Sequence, residues 1–186
     1  MKLQPIILTL AALILAAGAT TRAAVPDTLA PFTVPAVLSD EHWEIHETLA
    51  GAAREPGRLG QAARTLAVAM EAHFDKEEEY AMPPLALLPL LARGETYQEM
   101  REILPVTDRL AYELPIMLEE HKVIGAAARE LLEVARAEGR FDVQRLADQV
   151  LRHAQTEEQI MYPAAILVGK LVEFRLGRAA WYPDSR

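Results

Sequence analysis

The strongest constraint on this chain is a short pattern that occurs twice, far apart in the sequence. His73 is followed by Glu77 four residues later, and His153 is followed by Glu157 at the same spacing. Each copy also has a proline ten residues after its histidine. Positions four apart on an α-helix differ by about 40° around the axis, so each pair projects from one face. The pattern predicts two helices that each present a His and a Glu to the same region.

The residues upstream of the two copies are also similar. Asp40-Glu41-His42 precedes the first copy, and Glu119-Glu120-His121 precedes the second. The chain therefore consists of two similar helical hairpins, each offering one His from its first helix and a His with a Glu from its second. This is the ligand supply of a metal site inside a four-helix bundle.

Composition favours one all-α globular domain. The chain has 186 residues, 51% of them hydrophobic and only 6% aromatic. No segment alternates apolar and polar residues over the length of a strand. The net charge is −8 and the basic residues are dispersed, so neither nucleic acid nor, beyond the N-terminal segment, a membrane is an expected partner. The oligomeric state is not indicated by any feature of the sequence.

The first 23 residues resemble a secretory signal peptide. A positive charge at Lys2 precedes an apolar run over residues 6–19, and small residues around Ala23 offer a cleavage point. An uncleaved membrane anchor is the less favoured alternative, because the run is short for a membrane span. Cleavage after Ala23 would remove Lys2 and Arg22, leaving a net charge of 17 − 27 = −10. We expect a periplasmic or secreted protein without disulfides or thiolate metal sites, since the chain has no cysteine.

The remaining chain divides into an extended lead-in over residues 24–38, a helical bundle over residues 39–170 and a tail over residues 171–186. We expect an antiparallel up-and-down bundle in which a long crossover, carrying a short helix, joins the two hairpins. The four expected helices run from a cap at Ser39 to about Arg54, from about Leu59 to Tyr80, from about Pro115 to Ala137, and from a cap at Asp142 past His153 to about Pro163 or beyond.

Both His-Glu pairs interrupt faces that are otherwise apolar. The two stripes are Leu66, Met70, His73, Glu77 and Tyr80, and Leu146, Val150, His153, Glu157 and Ile160. A carboxylate buried alone is costly, and no Lys or Arg occupies the matching positions of the other segments. Metal coordination resolves this conflict, and imidazole with carboxylate suits iron, zinc, manganese or copper. Met70, Tyr80, Met82, Met161 and Tyr162 flank the site and are expected to fill the core, with Tyr80 as a candidate hydrogen-bond donor beside it.

The joint pattern of one His, then His-x-x-x-Glu, then the same again, resembles the hemerythrin-like, or HHE cation-binding, family. The resemblance extends from Ser39 to about Val168. It implies an up-and-down four-helix bundle that binds two non-haem irons, bridged by two carboxylates and an oxo or hydroxo group, with reversible O2 binding in the best-known members. The ligands that it implies by position are His42, His73, Glu77, His121, His153 and Glu157.

The chain departs from the O2-carrying members of that family in two places. Those members have a His pair four apart on the third helix, whereas here the pair is His42 and His46, and Gly125 holds the matching position of the second half. We therefore add His46 to the expected ligands. One metal is then served by His42, His46 and His73, and the metal of His121 and His153 is left with an open position. The carriers also space the last carboxylate one residue further on, which makes Glu158 a reserve ligand.

The function that this pattern favours is an exported di-iron protein that binds O2 or a related small ligand such as NO without transforming a substrate. Two alternatives stay open: metal binding for storage or sensing, and a di-iron enzyme acting on peroxide. A ferritin-like site is not supported, because no His has a Glu three residues before it. A zinc protease is not supported either, because the His-Glu-x-x-His motif does not occur.

Overall fold

The computed structural model describes residues 32–177, and over this range it is helical with no strand. The all-α prediction is confirmed there. The predicted signal peptide, most of the lead-in and the end of the tail lie outside the described residues. The α-helices of this range are α1 (Ala36–Ala53), α2 (Gly57–Lys76), α3 (Leu88–Ala92), α4 (Leu104–Ala137), α5 (Phe141–Thr156) and α6 (Tyr162–Leu176).

Four of these helices form a bundle. α1 packs against α2, α2 against α4, α4 against α5, and α5 against α1, so that the four close a ring around one core. Ile45, Leu66 and Leu131, from three different helices, are completely buried in that core. α6 follows α5 in the chain and packs against α4. Within residues 32–177 no helix combines the length and hydropathy needed to cross a bilayer.

A π-helical turn follows each of the two repeated patterns, at Glu77–Ala81 and at Glu157–Met161. In each case one residue separates the end of the turn from a proline, Pro83 or Pro163. A proline ring clashes with the carbonyl four residues before it and supplies no N–H, so the regular α-helical pattern cannot continue through this point. The wider π turn accommodates the proline while the chain remains helical.

The π turns change which residues face inward. The backbone N–H of Met82 donates to the carbonyl of Glu77 at 2.8 Å, and the N–H of Tyr162 donates to that of Glu157. The fifth residue after each Glu therefore lies one turn beyond it, on the same side of the helix. Tyr162 is buried as a result, whereas Ile160, which the α-helical period predicted to face inward, is 63% exposed.

Two predicted helix caps were wrong. α1 begins at Ala36 directly after Pro35, and the Ser39 hydroxyl, now inside the helix, donates to the carbonyl of Ala36 at 3.1 Å. α5 begins at Phe141, so Asp142 lies in its first turn and its carboxylate accepts a hydrogen bond from Arg140 at 2.8 Å. A proline at one helix start and an ion pair at the other replace the side-chain caps.

The third bundle helix is longer than predicted. α4 begins at Leu104 rather than near Pro115, because Pro105 occupies its first turn, where a missing N–H breaks no helical hydrogen bond. Pro115 lies inside α4, and the buried Leu110 and Met117 hold the helix in the core on either side of it. The connection from the first half is consequently made of short 3₁₀ segments at Pro83–Leu87 and Gln98–Ile103 with α3 between them.

Gly169 allows α6 to pack closely on α4, and this contact is testable. A Cβ at Gly169 would lie 2.1 Å from Oγ1 of Thr107, which α4 contributes, whereas a Cβ at Gly51 in α1 would meet nothing within 4 Å. We expect Gly169→Ala to lower the free energy of unfolding by about 1–3 kcal/mol through overpacking. Gly51→Ala, the matched control, should raise it by up to about 1 kcal/mol through helix propensity. Urea unfolding followed by circular dichroism measures both; equal effects of the two variants would contradict this packing.

Candidate metal centre

Six of the seven predicted ligand residues meet in the core of the bundle. Each bundle helix contributes one histidine, and each of the two π turns begins with one glutamate. All six are at most 6% exposed: His42 from α1, His73 from α2, His121 from α4, His153 from α5, and the glutamates Glu77 and Glu157.

The donor atoms of these residues form two overlapping groups, which we call half-site A and half-site B. Half-site A contains His42 and His153, half-site B contains His73 and His121, and both contain Glu77 and Glu157. Within each group the ligand atoms all lie within 4.8 Å of one another. This pairing corrects the expected one: His42 and His73 serve different half-sites, and each half-site takes one histidine from each hairpin.

Each glutamate offers one oxygen to each half-site. Glu77 places Oε2 at 3.4 Å from Nε2 of His42 in half-site A and Oε1 at 3.4 Å from Nε2 of His73 in half-site B. Glu157 places Oε1 at 2.8 Å from Nε2 of His153 and Oε2 at 3.4 Å from Nε2 of His121. Both carboxylates therefore lie between the two half-sites, as bridging ligands of a dinuclear centre do.

The outer nitrogen of every histidine in the centre faces a further carboxylate. A carboxylate only accepts hydrogen bonds, so each Nδ1 carries a proton, and Nε2 is the nitrogen that faces the centre and remains for a metal. The four Nδ1–Oε distances are 3.2 Å for His42 and Glu78, 2.9 Å for His73 and Glu120, 3.0 Å for His121 and Glu158, and 3.5 Å for His153 and Glu41.

These outer carboxylates repeat with the ligands. Glu41 and Glu120 each come directly before the histidine that the first helix of their hairpin contributes to the centre, and Glu78 and Glu158 each directly follow a ligand glutamate. Each reaches a histidine of a different helix. Glu158 is therefore a partner of His121 rather than a reserve ligand. The repeated Glu next to each ligand was the sequence signal for this outer layer, but only the packing shows which histidine each one holds.

The inner nitrogens require a cation between them. In half-site B the Nε2 atoms of His73 and His121 lie 2.7 Å apart, although both would direct lone pairs at each other. A proton or a metal ion must separate them. In keeping with this, the pKa of His73 is raised: burial lowers it, but interactions with the carboxylates of Glu77 and Glu120 outweigh burial.

Several inner atoms have no hydrogen-bond partner within the described residues. These buried atoms are Nε2 of His42, Nε2 of His153, Oε2 of Glu77 and both carboxylate oxygens of Glu157. Such groups are normally satisfied in proteins, and unsatisfied ones are costly. All of them are metal ligand types and all point into the same space. The residues present therefore fit a bound metal.

The pKa values of the two glutamates are shifted in opposite directions. Burial raises the pKa of Glu77 above its usual value. Burial acts on Glu157 in the same sense, but close contacts with the imidazoles of His121, His153 and His42 outweigh it and hold the pKa of Glu157 well below the usual range. Glu157 is also the cause of the shift in His153: burial lowers the pKa of this imidazole, yet the Glu157 carboxylate beside its Nε2 raises the pKa to about 9.

His46, the seventh predicted ligand, does not join the centre. Its side chain is exposed, and the inward positions that follow His42 along α1 are Ile45 and Leu49, which are 0% and 3% exposed. The next buried position of α1 after His42 is therefore three residues on, at Ile45, and not four residues on, at His46. At Gly125, which matches His46 in the second half, an added Cβ would lie in ordinary contact with the guanidinium of Arg129, 3.4 Å away.

A tyrosine that was expected only to fill the core reaches the centre. The Tyr162 hydroxyl donates a hydrogen bond to Oε1 of Glu77 and lies 3.2 Å from Nε2 of His121. Tyr80, the expected donor, instead donates to Glu113 at 2.9 Å, away from the cluster. The sequence signal for Tyr162 was the proline that follows it, which forces the π turn.

The chain is a member of the hemerythrin family: the family model described as "Hemerythrin HHE cation binding domain" matches residues 33–165. This range contains all six residues of the centre. Neither the comparison with curated proteins nor that with solved structures gave a match. Fold, family and donor set together define a cation-binding helical bundle, in a family whose usual metal is iron.

The pKa of His153 predicts how metal binding depends on pH. In the folded metal-free protein its pKa is about 9, above the ordinary 6.5, so its imidazolium stabilises this form fully below pH 6.5 and ceases to do so as the pH rises through 9. A ligand histidine must be deprotonated, so the proton competes with the metal. The rise in melting temperature caused by Zn²⁺ should therefore be larger at pH 9 than at pH 6.5. A rise that is constant or smaller at high pH would contradict this coupling.

The outer carboxylates should influence metal affinity without touching the metal. Glu120 holds Nδ1 of His73 and also pairs with Lys76, so Glu120→Ala should release the ring of His73. We expect Zn²⁺ affinity to fall about 10–100-fold, measured by competition with a chelating dye. Glu119→Ala is the matched control, since Glu119 is 70% exposed and pairs with Lys122. Equal affinities in the two variants would show that Glu120 does not support the centre.

Proposed function

We propose that the chain binds two iron ions, one in each half-site, and that the loaded centre binds O2 or a related diatomic ligand such as NO. The observation that carries this proposal is the orientation of Glu77 and Glu157, each with one oxygen directed to each half-site. A pair of bridging carboxylates between two pairs of histidines is the ligand pattern of a dinuclear centre. When bound, iron supplies reversible affinity for a diatomic molecule.

The surroundings of the donors support the binding of a small ligand. Each half-site has two histidines and a share of two carboxylates, so a metal there does not use all its coordination positions on these groups. Half-site A is covered by the Phe74 ring, which stacks on His42 at 3.9 Å between ring centroids. His42 and His153 are 2% and 6% exposed, so water is largely excluded from the inner nitrogens. A small apolar ligand is suited to such a site.

The donor set alone does not choose among iron, zinc, manganese and copper. We propose iron because the family is one of cation-binding hemerythrin domains and because four imidazoles with two carboxylates suit a pair of divalent ions. The two carboxylates neutralise part of the metal charge in a buried site, where unbalanced charge is unfavourable.

We also propose that neighbouring bundle helices run antiparallel and that the protein works outside the cytoplasm. The short connections between α1 and α2 and between α4 and α5 support the first statement, since few residues separate these helices. The apolar run over residues 6–19 supports the second, with cleavage after Ala23. N-terminal sequencing of the exported protein would test it, and an intact Met1 on a cytosolic product would count against it.

The stoichiometry of iron binding tests the proposed centre. Anaerobic loading with Fe²⁺ followed by elemental analysis should give two irons per chain. Glu157→Ala should reduce this number, because it removes an oxygen from both half-sites. His46→Ala should leave it unchanged, because His46 is exposed. One iron or fewer per wild-type chain would contradict the dinuclear assignment.

Reversible ligand binding is tested on the same loaded protein. Exposure to O2 should produce a visible absorption spectrum that disappears on degassing and returns on re-exposure. Steady consumption of peroxide by the loaded protein, without a reversible O2 spectrum, would instead support an enzyme. Iron that is released to a mild chelator, with no response to O2 or NO, would support storage.

A further inference from the structure

The Tyr162 side chain is a donor that the family pattern of His and Glu does not include. It is 1% exposed, and its hydroxyl oxygen lies 3.2 Å from Nε2 of His121 and 3.4 Å from Nε2 of His73. The same oxygen is hydrogen bonded to Oε1 of Glu77. All three neighbours are donor groups of half-site B. The hydroxyl therefore lies among the ligand atoms of one half-site rather than beside them.

These distances match the spacing of ligands around a single ion. Metal–nitrogen and metal–oxygen bonds of about 2.1 Å place neighbouring ligand atoms about 3.0–3.4 Å apart in octahedral or tetrahedral arrangements. The distances from the tyrosine oxygen to the two imidazole nitrogens lie at 3.2 and 3.4 Å. An ion that binds both imidazoles is thus within bonding reach of the phenol oxygen as well.

The local backbone explains why Tyr162 is directed at the centre. It is the fifth residue after Glu157, and the π turn hydrogen bonds its N–H to the carbonyl of that glutamate. The ring also lies face to face with the ring of His121, at 5.6 Å and 21°. The corresponding residue of the first half, five residues after Glu77, is Met82, whose thioether is a poor ligand for a hard ion. Only one of the two halves supplies a phenol at this position.

We propose that Tyr162 is a metal ligand of half-site B, which makes the two half-sites chemically different. This inference rests on the proposed binding of iron at the centre. As the bond between the phenol oxygen and the metal forms, the phenol O–H bond breaks and its proton leaves to solvent, with no change of oxidation state. Half-site B then has five protein donors, and half-site A has four.

The test uses the full-length protein loaded with iron and oxidised to the ferric state. A phenolate bound to Fe³⁺ gives a visible charge-transfer band and, on excitation into that band, tyrosinate vibrations in the resonance Raman spectrum, a combination that imidazole, carboxylate and an oxo bridge do not produce. We expect both signals in the wild-type protein and their loss in Tyr162→Phe. Tyr80→Phe is the matched control: Tyr80 is equally buried, but its hydroxyl binds Glu113, so both signals should remain. Tyr162→Met, which copies the residue of the first half, is a second variant should the phenylalanine variant fail to fold.

The outcomes separate this inference from the function on which it rests. A wild-type protein with two irons and no tyrosinate signals would overturn the ligand assignment and leave the dinuclear centre intact. Signals that persist without the Tyr162 hydroxyl, or that vanish in Tyr80→Phe, would also overturn it. A wild-type protein that binds no iron would overturn the proposed function and the inference together. Loss of the signals only at Tyr162, with iron content retained, would establish the ligand.

Discussion

The structure depends on two carboxylates that are buried where water cannot reach them. Glu77 and Glu157 are both 0% exposed and lie close together in the core of the bundle. Two negative charges in that position repel each other and lose their hydration, which no hydrophobic contact offsets. Positive charge must be present, either as protons on neighbouring imidazoles or as metal ions. The carboxylates raise the pKa values of His73 and His153, which favours protons in this role when no metal is bound.

The outer carboxylates surround the histidines of the centre. Each ligand histidine directs Nδ1 at a glutamate at the edge of the core, three of them through a hydrogen bond, and this leaves Nε2 for the metal. Because each histidine comes from a different bundle helix, metal binding joins all four helices at one level of the core. Metal binding is therefore coupled to helix packing, and a bound metal adds to the free energy of unfolding as well as completing the site.

Much of this was predictable because the helical period is local. A His and a Glu four residues apart share a face in any helix, and the duplication shows that both pairs serve one centre. His46 satisfies the same spacing relative to His42, yet Ile45 faces inward instead. Which neighbour along the next turn is buried depends on how α1 crosses its partners, and the sequence of α1 alone does not determine that.

Tyr162 was missed for a different reason. The α-helical period places the fifth residue after Glu157 away from the centre, and the period is valid only while the helix stays regular. Pro163 ends that regularity, and the π turn moves Tyr162 onto the face of the glutamate. Likewise, Pro115 was predicted to lie in the first turn of a helix, where proline is common. It lies instead inside α4, between buried neighbours. In both cases a proline is compatible with two local structures, and packing selects between them.

The most direct test of this account is a crystal structure of the iron-loaded protein with anomalous scattering measured at the iron absorption edge. The account predicts two anomalous peaks per chain, about 3.5–4 Å apart, one between His42 and His153 and the other between His73 and His121. Glu77 and Glu157 should each contact both peaks. A single peak, or a peak ligated by His46, would contradict the arrangement of two half-sites joined by bridging carboxylates.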